Sequence, residues 1–192
     1  MLALDAMGVI YRVGDDLRDL LIPFIIGRGG TVEGLPEIYR AVCRGETGAD
    51  EIWRCAGLSS EVEDDHLAQL ELTPGVLGFL DRARARFEIV AGLSNDVSRW
   101  SRKLRARFGL DALVSPWIVS GDVGYRKPSP EIYAALLAAT RARPDEVLFI
   151  DDRIANVTAA RALGIEAMLY DPTGGRTFEC PCIMRLDELL AA

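Results

Sequence analysis

The chain has 192 residues, 49% apolar and 27% charged, which suits one globular domain with a modest insertion and excludes a disordered polymer. Its net charge of −7 argues against nucleic acid or an acidic membrane surface as a partner, because both attract a basic footprint. One histidine and two lysines, Lys103 and Lys127, leave carboxylates to carry most of any chemistry.

Apolar residues 1–4 lead into Asp5, with Gly8 and the apolar Val9-Ile10-Tyr11 close behind, which predicts a short buried strand ending in a turn. That apolar start is too short for a signal peptide, so a cytoplasmic location is expected. From residue 15 to 72 the period becomes helical. Leu17, Leu20, Leu21, Phe24 and Ile25 share one face, Ile38, Tyr39 and Val42 begin another, and short helices are predicted over 50–55 and 61–70. The apolar run 20–26 is broken by Pro23 and cannot span a bilayer. His66, inside the acidic 61–70 run, reads as a solvated or partly buried side chain. A lone histidine there argues against a Ser-His-Asp triad or a histidine-rich zinc site.

Thr73-Pro74-Gly75 predicts a helix to residue 86, with threonine as N-cap and proline at the first helical position. A buried strand over 89–93 ends at Ser94, and an amphipathic helix follows over 96–107. Strand 117–119, loop 121–128 and helix 130–141 come next, then strand 147–150 ending in Asp151-Asp152, helix 155–163 stopped by Gly164, and strand 165–169. Cys43, Cys55, Cys180 and Cys182 show no metal-like CxxC pairing and read as inert thiols.

Near-continuous apolar strands alternating with helices predict an α/β fold, a Rossmann-like parallel sheet with helices on both faces. The early helical block reads as an inserted small helical cap over 13–72, with the core formed by 1–12 and 73–192. In such sheets ligands bind beyond the carboxyl ends of the strands. Those ends deliver Asp5, Ser94-Asn95 and Asp151-Asp152, and a loop delivers Lys127-Pro128. Carboxylates suit Mg²⁺ better than zinc, while a hydroxyl and an ammonium suit phosphate oxygens.

The order and spacing of these segments resemble the haloacid dehalogenase-like hydrolases over most of the chain. Leu4-Asp5-Ala6-Met7-Gly8-Val9 looks like their first motif and Leu93-Ser94-Asn95 like the second. Gly121 to Tyr133, with Lys127-Pro128 inside, looks like the third, and Val147 to Val157, with Asp151-Asp152, like the fourth. The resemblance implies that Asp5 attacks phosphorus and forms an aspartyl-phosphate. It implies that Asp5, Asp152 and the backbone carbonyl of Met7 bind Mg²⁺. Ser94, Asn95 and Lys127 would bind the substrate, with Lys127 also neutralising Asp5. Asp151 is read either as adding to the metal shell through water, with Asn156 orienting it, or as a solvated acid beside the site.

One position departs from the pattern. Phosphatases of this family usually carry a second aspartate two residues after the nucleophile as general acid and base, and here that residue is Met7. A thioether transfers no proton, although its backbone carbonyl still binds a cation. Relatives resembling the glucose-1-phosphate phosphatases, and the phosphatase half of soluble epoxide hydrolases, share the Asp-Asp-x-x-x-Asn form of the fourth motif. Three readings follow: a Mg²⁺-dependent phosphatase, a metal-independent dehalogenase-like hydrolase, or a phosphate-ligand binding or regulatory protein that has lost turnover through Met7. Asp151-Asp152 argues against the second, and the retained Asp5 and Lys127 against the third. A phosphonate-cleaving variant would need a cap lysine, and residues 13–72 hold none. The expected partner is a small phosphate ester, acting on a monomer or homodimer. Tyr11, Arg12, Arg40, Trp53 and Arg54 are substrate-contact candidates by chemistry alone.

Overall fold

The computed structural model describes residues 1–174 and 180–191. Strand β1 (Leu2–Leu4) is buried along its whole length, since Leu2 and Leu4 enter the apolar core on one face of the sheet and Ala3 the core on the other. The chain then leaves the sheet and returns as a short antiparallel pair. The Arg12 N–H donates to the Glu71 carbonyl at 2.9 Å and the Thr73 N–H to the Ile10 carbonyl at 2.9 Å.

Between these arms lie a π-helical turn (Leu17–Leu21) and helices α1 (Ile22–Gly27), α2 (Leu35–Val42), α3 (Asp50–Cys55) and α4 (Glu63–Leu67). The helix expected over 61–70 is split, because Ser59 caps a 3₁₀ turn at Ser60–Val62 and α4 ends at Leu67. His66 corrects the sequence reading. It is 1% exposed and packs its ring against Phe24, Trp53 and Trp100 at centroid distances of 5.3, 5.7 and 5.0 Å. The acidic composition hid an inward stripe, Glu63, His66 and Leu67, at helical spacing, with Asp64 and Asp65 turned to water. This helical segment shares its core with the sheet: Leu21, Ile25, Ile52 and Trp53 belong to the same apolar cluster as Leu2 and Leu4.

Helix α5 (Val76–Arg86) begins two residues later than expected. Thr73 does not cap it; Gly75 takes the N-cap position at φ +80°, a left-handed backbone that glycine adopts without steric cost, and Thr73-Pro74 makes the preceding turn. Strand β2 (Val90–Ser94), helix α6 (Ser98–Phe108), strand β3 (Trp117–Val119) and a short helix α7 (Ser120–Val123) follow. Helix α8 (Pro130–Thr140), strand β4 (Leu148–Asp151), helix α9 (Ile154–Ala162) and strand β5 (Glu166–Tyr170) complete the alternation. Beyond residue 169 the sequence pattern fades, yet β6 (Cys182–Ile183) and a 3₁₀ stretch (Leu186–Leu190) extend the fold.

Among the described residues the six strands of the sheet pair parallel throughout, in the order β3-β2-β1-β4-β5-β6. Helices α8 and α9 cover one face through Ile132, Leu136, Val157 and Ala160, while α5 and α6 cover the other through Phe79, Leu80 and Leu104. The chain steps outward from β1 to β3, then crosses to β4 on the far side of β1. Their carboxyl ends therefore flank the switch point where a crevice opens. Among the described residues no helix is long and apolar enough to cross a membrane.

Candidate active site

Asp5 follows β1, Asp151 ends β4, Asp152 comes next, and Lys127 reaches the same point from the loop before α8. The Lys127 ammonium donates to Asp151 Oδ2 at 2.8 Å and to the Leu93 carbonyl at 2.5 Å, and lies 2.7 Å from Asp5 Oδ1. Its three protons are all engaged, so a ligand bonded directly to Nζ must displace one of these acceptors. Asp5 Oδ1 also accepts the Ala6 N–H at 2.7 Å, leaving no partner on its other oxygen in this group of contacts.

Asp151 is not the solvated acid of one sequence reading. It is fully buried, and the Asn156 amide donates to both its oxygens at 3.0 Å while the Arg153 N–H donates at 2.8 Å. With Lys127 this makes Asp151 the fixed anchor of the ammonium. Asn95 is likewise spent locally: its side chain donates to the Lys127 carbonyl at 2.8 Å and accepts the Lys127 N–H at 2.7 Å. Its amide thus pins the backbone that carries the lysine.

Asp152 sits against bare backbone. A Cβ on Gly8 would overlap its carboxylate, and one on Gly14 would come within 2.6 Å of Oδ2. Gly8 also holds φ +81°, so both space and backbone require glycine there. Two buried polar atoms at this site lack partners, Asp152 Oδ1 and Ser94 Oγ. A buried orphan costs about 1–3 kcal/mol, which a functional ligand offsets.

Asp5, Asp151 and Asp152 bring oxygens within 4.8 Å of one another against a single lysine. Burial pushes the Asp5 carboxyl up to about 8, against the pull of Lys127 and with repulsion from Asp151 and Asp152. Burial and then Asp151 push Asp152 up to about 6. Lys127 is held above its usual range because the pull of Asp151 and Asp5 outweighs its burial. With Asp151 spent on Lys127 and Asn156, the hard oxygens of Asp5 and Asp152 beside it fit a small divalent cation, and Asp152 Oδ1 is the orphaned atom such an ion satisfies. Met7, 7% exposed, adds no titratable group.

Beside this cluster opens a cavity of about 560 Å³ that has Lys127 in its wall. Arg40, Arg44, Arg126 and Arg153 line it as well. Of the five substrate-contact candidates, only Arg40 reaches it; Tyr11 and Trp53 are buried in the core, and Arg12 and Arg54 pair with Glu71 and Glu51 outside. Sequence reasoning missed Arg126 and Arg153, although each is adjacent to a residue it did select.

A model of the haloacid dehalogenase-like hydrolases matches residues 37–164. Phosphoserine phosphatase of Thermus thermophilus is 33% identical over 101 residues, a match spanning 52% of this chain and 41% of that protein, so the chain spans less than half the length of this relative. A HAD phosphatase structure from Thermococcus onnurineus superposes with TM-score 0.76 at 18% identity, covering 99% of this chain and 95% of that one. A HAD family enzyme from Bacteroides thetaiotaomicron, in complex with magnesium and inorganic phosphate, superposes with TM-score 0.75 at 23% identity, covering 93% and 96%.

Proposed function

Because the chain belongs to the haloacid dehalogenase-like hydrolases, we propose that it is a Mg²⁺-dependent phosphohydrolase acting on a small phosphate ester through an aspartyl-phosphate. The observation that carries this reading is the charge balance at the strand ends: two buried carboxylates and the half-buried Asp152 face one lysine, with Asp152 Oδ1 and Ser94 Oγ left without partners. The phosphatases and the magnesium–phosphate complex among its relatives support the same reading. Residues 13–72 are assigned as the cap and 1–12 with 73–192 as the hydrolase core, in keeping with the paired entry and exit at Tyr11 and Leu72.

In this reading Lys127 and the Ala6 N–H hold one Asp5 oxygen, and the other attacks phosphorus. A bond forms from Asp5 to phosphorus as the ester oxygen leaves with its electron pair. Water then attacks phosphorus, the Asp5–phosphorus bond breaks, and inorganic phosphate departs with Asp5 restored. Ser94 Oγ, having no protein partner, donates to a phosphoryl oxygen. Asp5, Asp152 and the Met7 carbonyl would hold Mg²⁺, which supplies positive charge against the developing phosphoryl charge. Asp151 and Asn156 act through Lys127 by fixing its position.

Met7 shapes the substrate preference. With no carboxyl at this position, leaving groups stable as anions, such as acyl, aryl or anomeric phosphates, are favoured over alkyl phosphates. Metal-independent hydrolysis at carbon fits less well, because it leaves Asp152 Oδ1 buried, unpaired and unused. The deciding experiment is phosphate release from a panel of aryl and alkyl phosphates with Mg²⁺ and with chelator. Release that requires Mg²⁺ is expected; full turnover in chelator, or none on any ester, overturns the reading.

A further inference from the structure

The cavity beside the acid cluster is far larger than one phosphate needs, and its wall is cationic. Lys127 belongs both to the acid cluster and to this wall, so the two spaces adjoin, and the remainder of a ligand whose phosphoryl group sits at Asp5 extends into the cavity. Its four arginines are held to different degrees. Arg40 pairs with Glu37 at 2.7 Å and Arg44 with Glu46 at 2.5 Å, both exposed surface pairs between near neighbours. Such pairs contribute about 0–1 kcal/mol and exchange readily for a ligand anion. Arg153 donates to the Gly14 carbonyl at 2.8 Å and lies 3.8 Å from Asp15. The guanidinium of Arg126, half-buried and directly before Lys127, makes no hydrogen bond or ion pair among the described residues, although the Arg126 carbonyl accepts the Ser129 N–H.

The opposing acids are largely spent. Asp16 accepts the Tyr39 hydroxyl at 2.5 Å, and burial pushes its carboxyl up. Asp15 accepts the Arg18 N–H at 3.0 Å besides facing Arg153. What remains in the wall is a fork of guanidinium donors without an acceptor, next to the lysine of the acid cluster.

We propose that this cavity is a subsite for a second anionic group, so that the substrate is a phosphate monoester that also carries a carboxylate or a second phosphate, with Arg126 as its principal contact. The inference rests on the phosphohydrolase reading for where the first phosphoryl group binds. A planar guanidinium meets either oxyanion through two parallel hydrogen bonds, whereas a neutral hydroxyl or alkyl tail leaves those donors unmatched.

Non-hydrolysable ligands separate this inference from turnover. Calorimetric binding with Mg²⁺ present compares 3-phosphonopropionate and propane-1,3-diphosphonate with propylphosphonate. At least one acidic ligand should bind wild type about ten-fold more tightly than propylphosphonate, the factor expected for one charge-assisted contact, and which one does so identifies the second anion. Arg126→Gln should reduce that advantage to within about two-fold, and Arg126→Lys should restore part of it. Should Arg126→Gln fail to fold, raising salt on wild type should erode the advantage of the acidic ligand. Equal affinities in wild type, an advantage unchanged in Arg126→Gln, or one indifferent to salt overturns the proposal. Binding of neither class removes the phosphoryl site itself, while tighter acidic binding without phosphate release from any ester leaves the subsite and removes the hydrolysis.

Discussion

Two buried carboxylate clusters in this molecule look alike by burial and differ in charge balance. At the strand ends, Asp5, Asp151 and Asp152 surround Lys127, with Arg153 acting on Asp152 from one side, and Asp5 is pushed up to about 8 by burial that Lys127 only partly relieves. Between the helical segment and α6 the ratio is reversed. Glu63 accepts from Trp53 Nε1 at 3.2 Å, Trp100 Nε1 at 2.8 Å and Arg99 Nη2 at 2.5 Å, and lies 2.8 Å from Lys103. Burial alone would raise its carboxyl, but these donors hold it down at about 2. The satisfied cluster is a structural joint; the under-compensated one stores a demand for a cation. Burial of charge by itself marks neither, and the count of donors against acceptors distinguishes them.

The same substitution should therefore act oppositely at the two places. Asp5→Asn removes the proposed nucleophile and one surplus charge, so turnover should fall by about 10⁴-fold or more while the melting temperature holds or rises. Phosphate-release assays beside a thermal melt check this, and retained turnover would remove Asp5 from its role. Asp152→Ala should likewise abolish Mg²⁺-dependent turnover and, by deleting an orphaned carboxylate, leave the fold intact. Mg²⁺ should raise the melting temperature of wild type and not of this variant; an equal rise in both places the ion elsewhere.

Glu63→Gln should do the reverse, costing about 1–3 kcal/mol of stability because the charge-assisted hydrogen bonds to this buried acceptor weaken while Arg99 and Lys103 keep Asp50 and Asp64, with chemistry surviving below the melting point. A denaturant titration showing no loss would mean that the joint is ornamental. Acid sharpens the contrast. Glu63, near 4.5 when unfolded and about 2 when folded, stabilises fully above pH 4.5 and loses that contribution as pH falls toward 2. His66, held at about 4 by burial against 6.5 when unfolded, adds a loss between pH 6.5 and 4, because the unfolded chain takes up the proton first. The raised carboxyls of Asp5 and Asp152 work the other way, taking up protons first in the folded state, so the Glu63 and His66 losses read out in the comparison with the variant: Glu63→Gln should lose less stability than wild type below pH 4.5. Stability measured against pH in both proteins checks the slope.

The smallest expected effect is at Met7. Met7→Asp supplies the carboxyl that the spacing otherwise lacks and should raise rates on alkyl phosphates by about ten-fold, with aryl phosphates changing less. Wild-type rates already equal on matched aryl and alkyl esters would show that another group delivers the proton.

Periodicity and punctuation determined a good deal by themselves. Apolar runs ending in Asp5, Ser94 and Asp151 located three strand ends, because a strand buried on both faces can be read without knowing its neighbours. The rule that ligands gather at such ends then grouped these residues with Lys127. Local chemistry misled where two signals competed, as at Thr73, where the glycine two residues later took the cap, and at His66, where acidic neighbours masked an inward stripe. Partner choice was beyond the sequence. That Asn156 and Lys127 saturate Asp151, that Asn95 clamps the Lys127 backbone, and that Gly14 presses on Asp152 across 138 positions follow only once β1 and β4 lie side by side. The arginine-lined cavity has the same origin, since Arg40, Arg126 and Arg153 come from three separate stretches of chain. Sequence specifies which faces must be buried, because that depends on local spacing; which charges then meet, and whether they balance, depends on distances between segments that only the packed sheet sets.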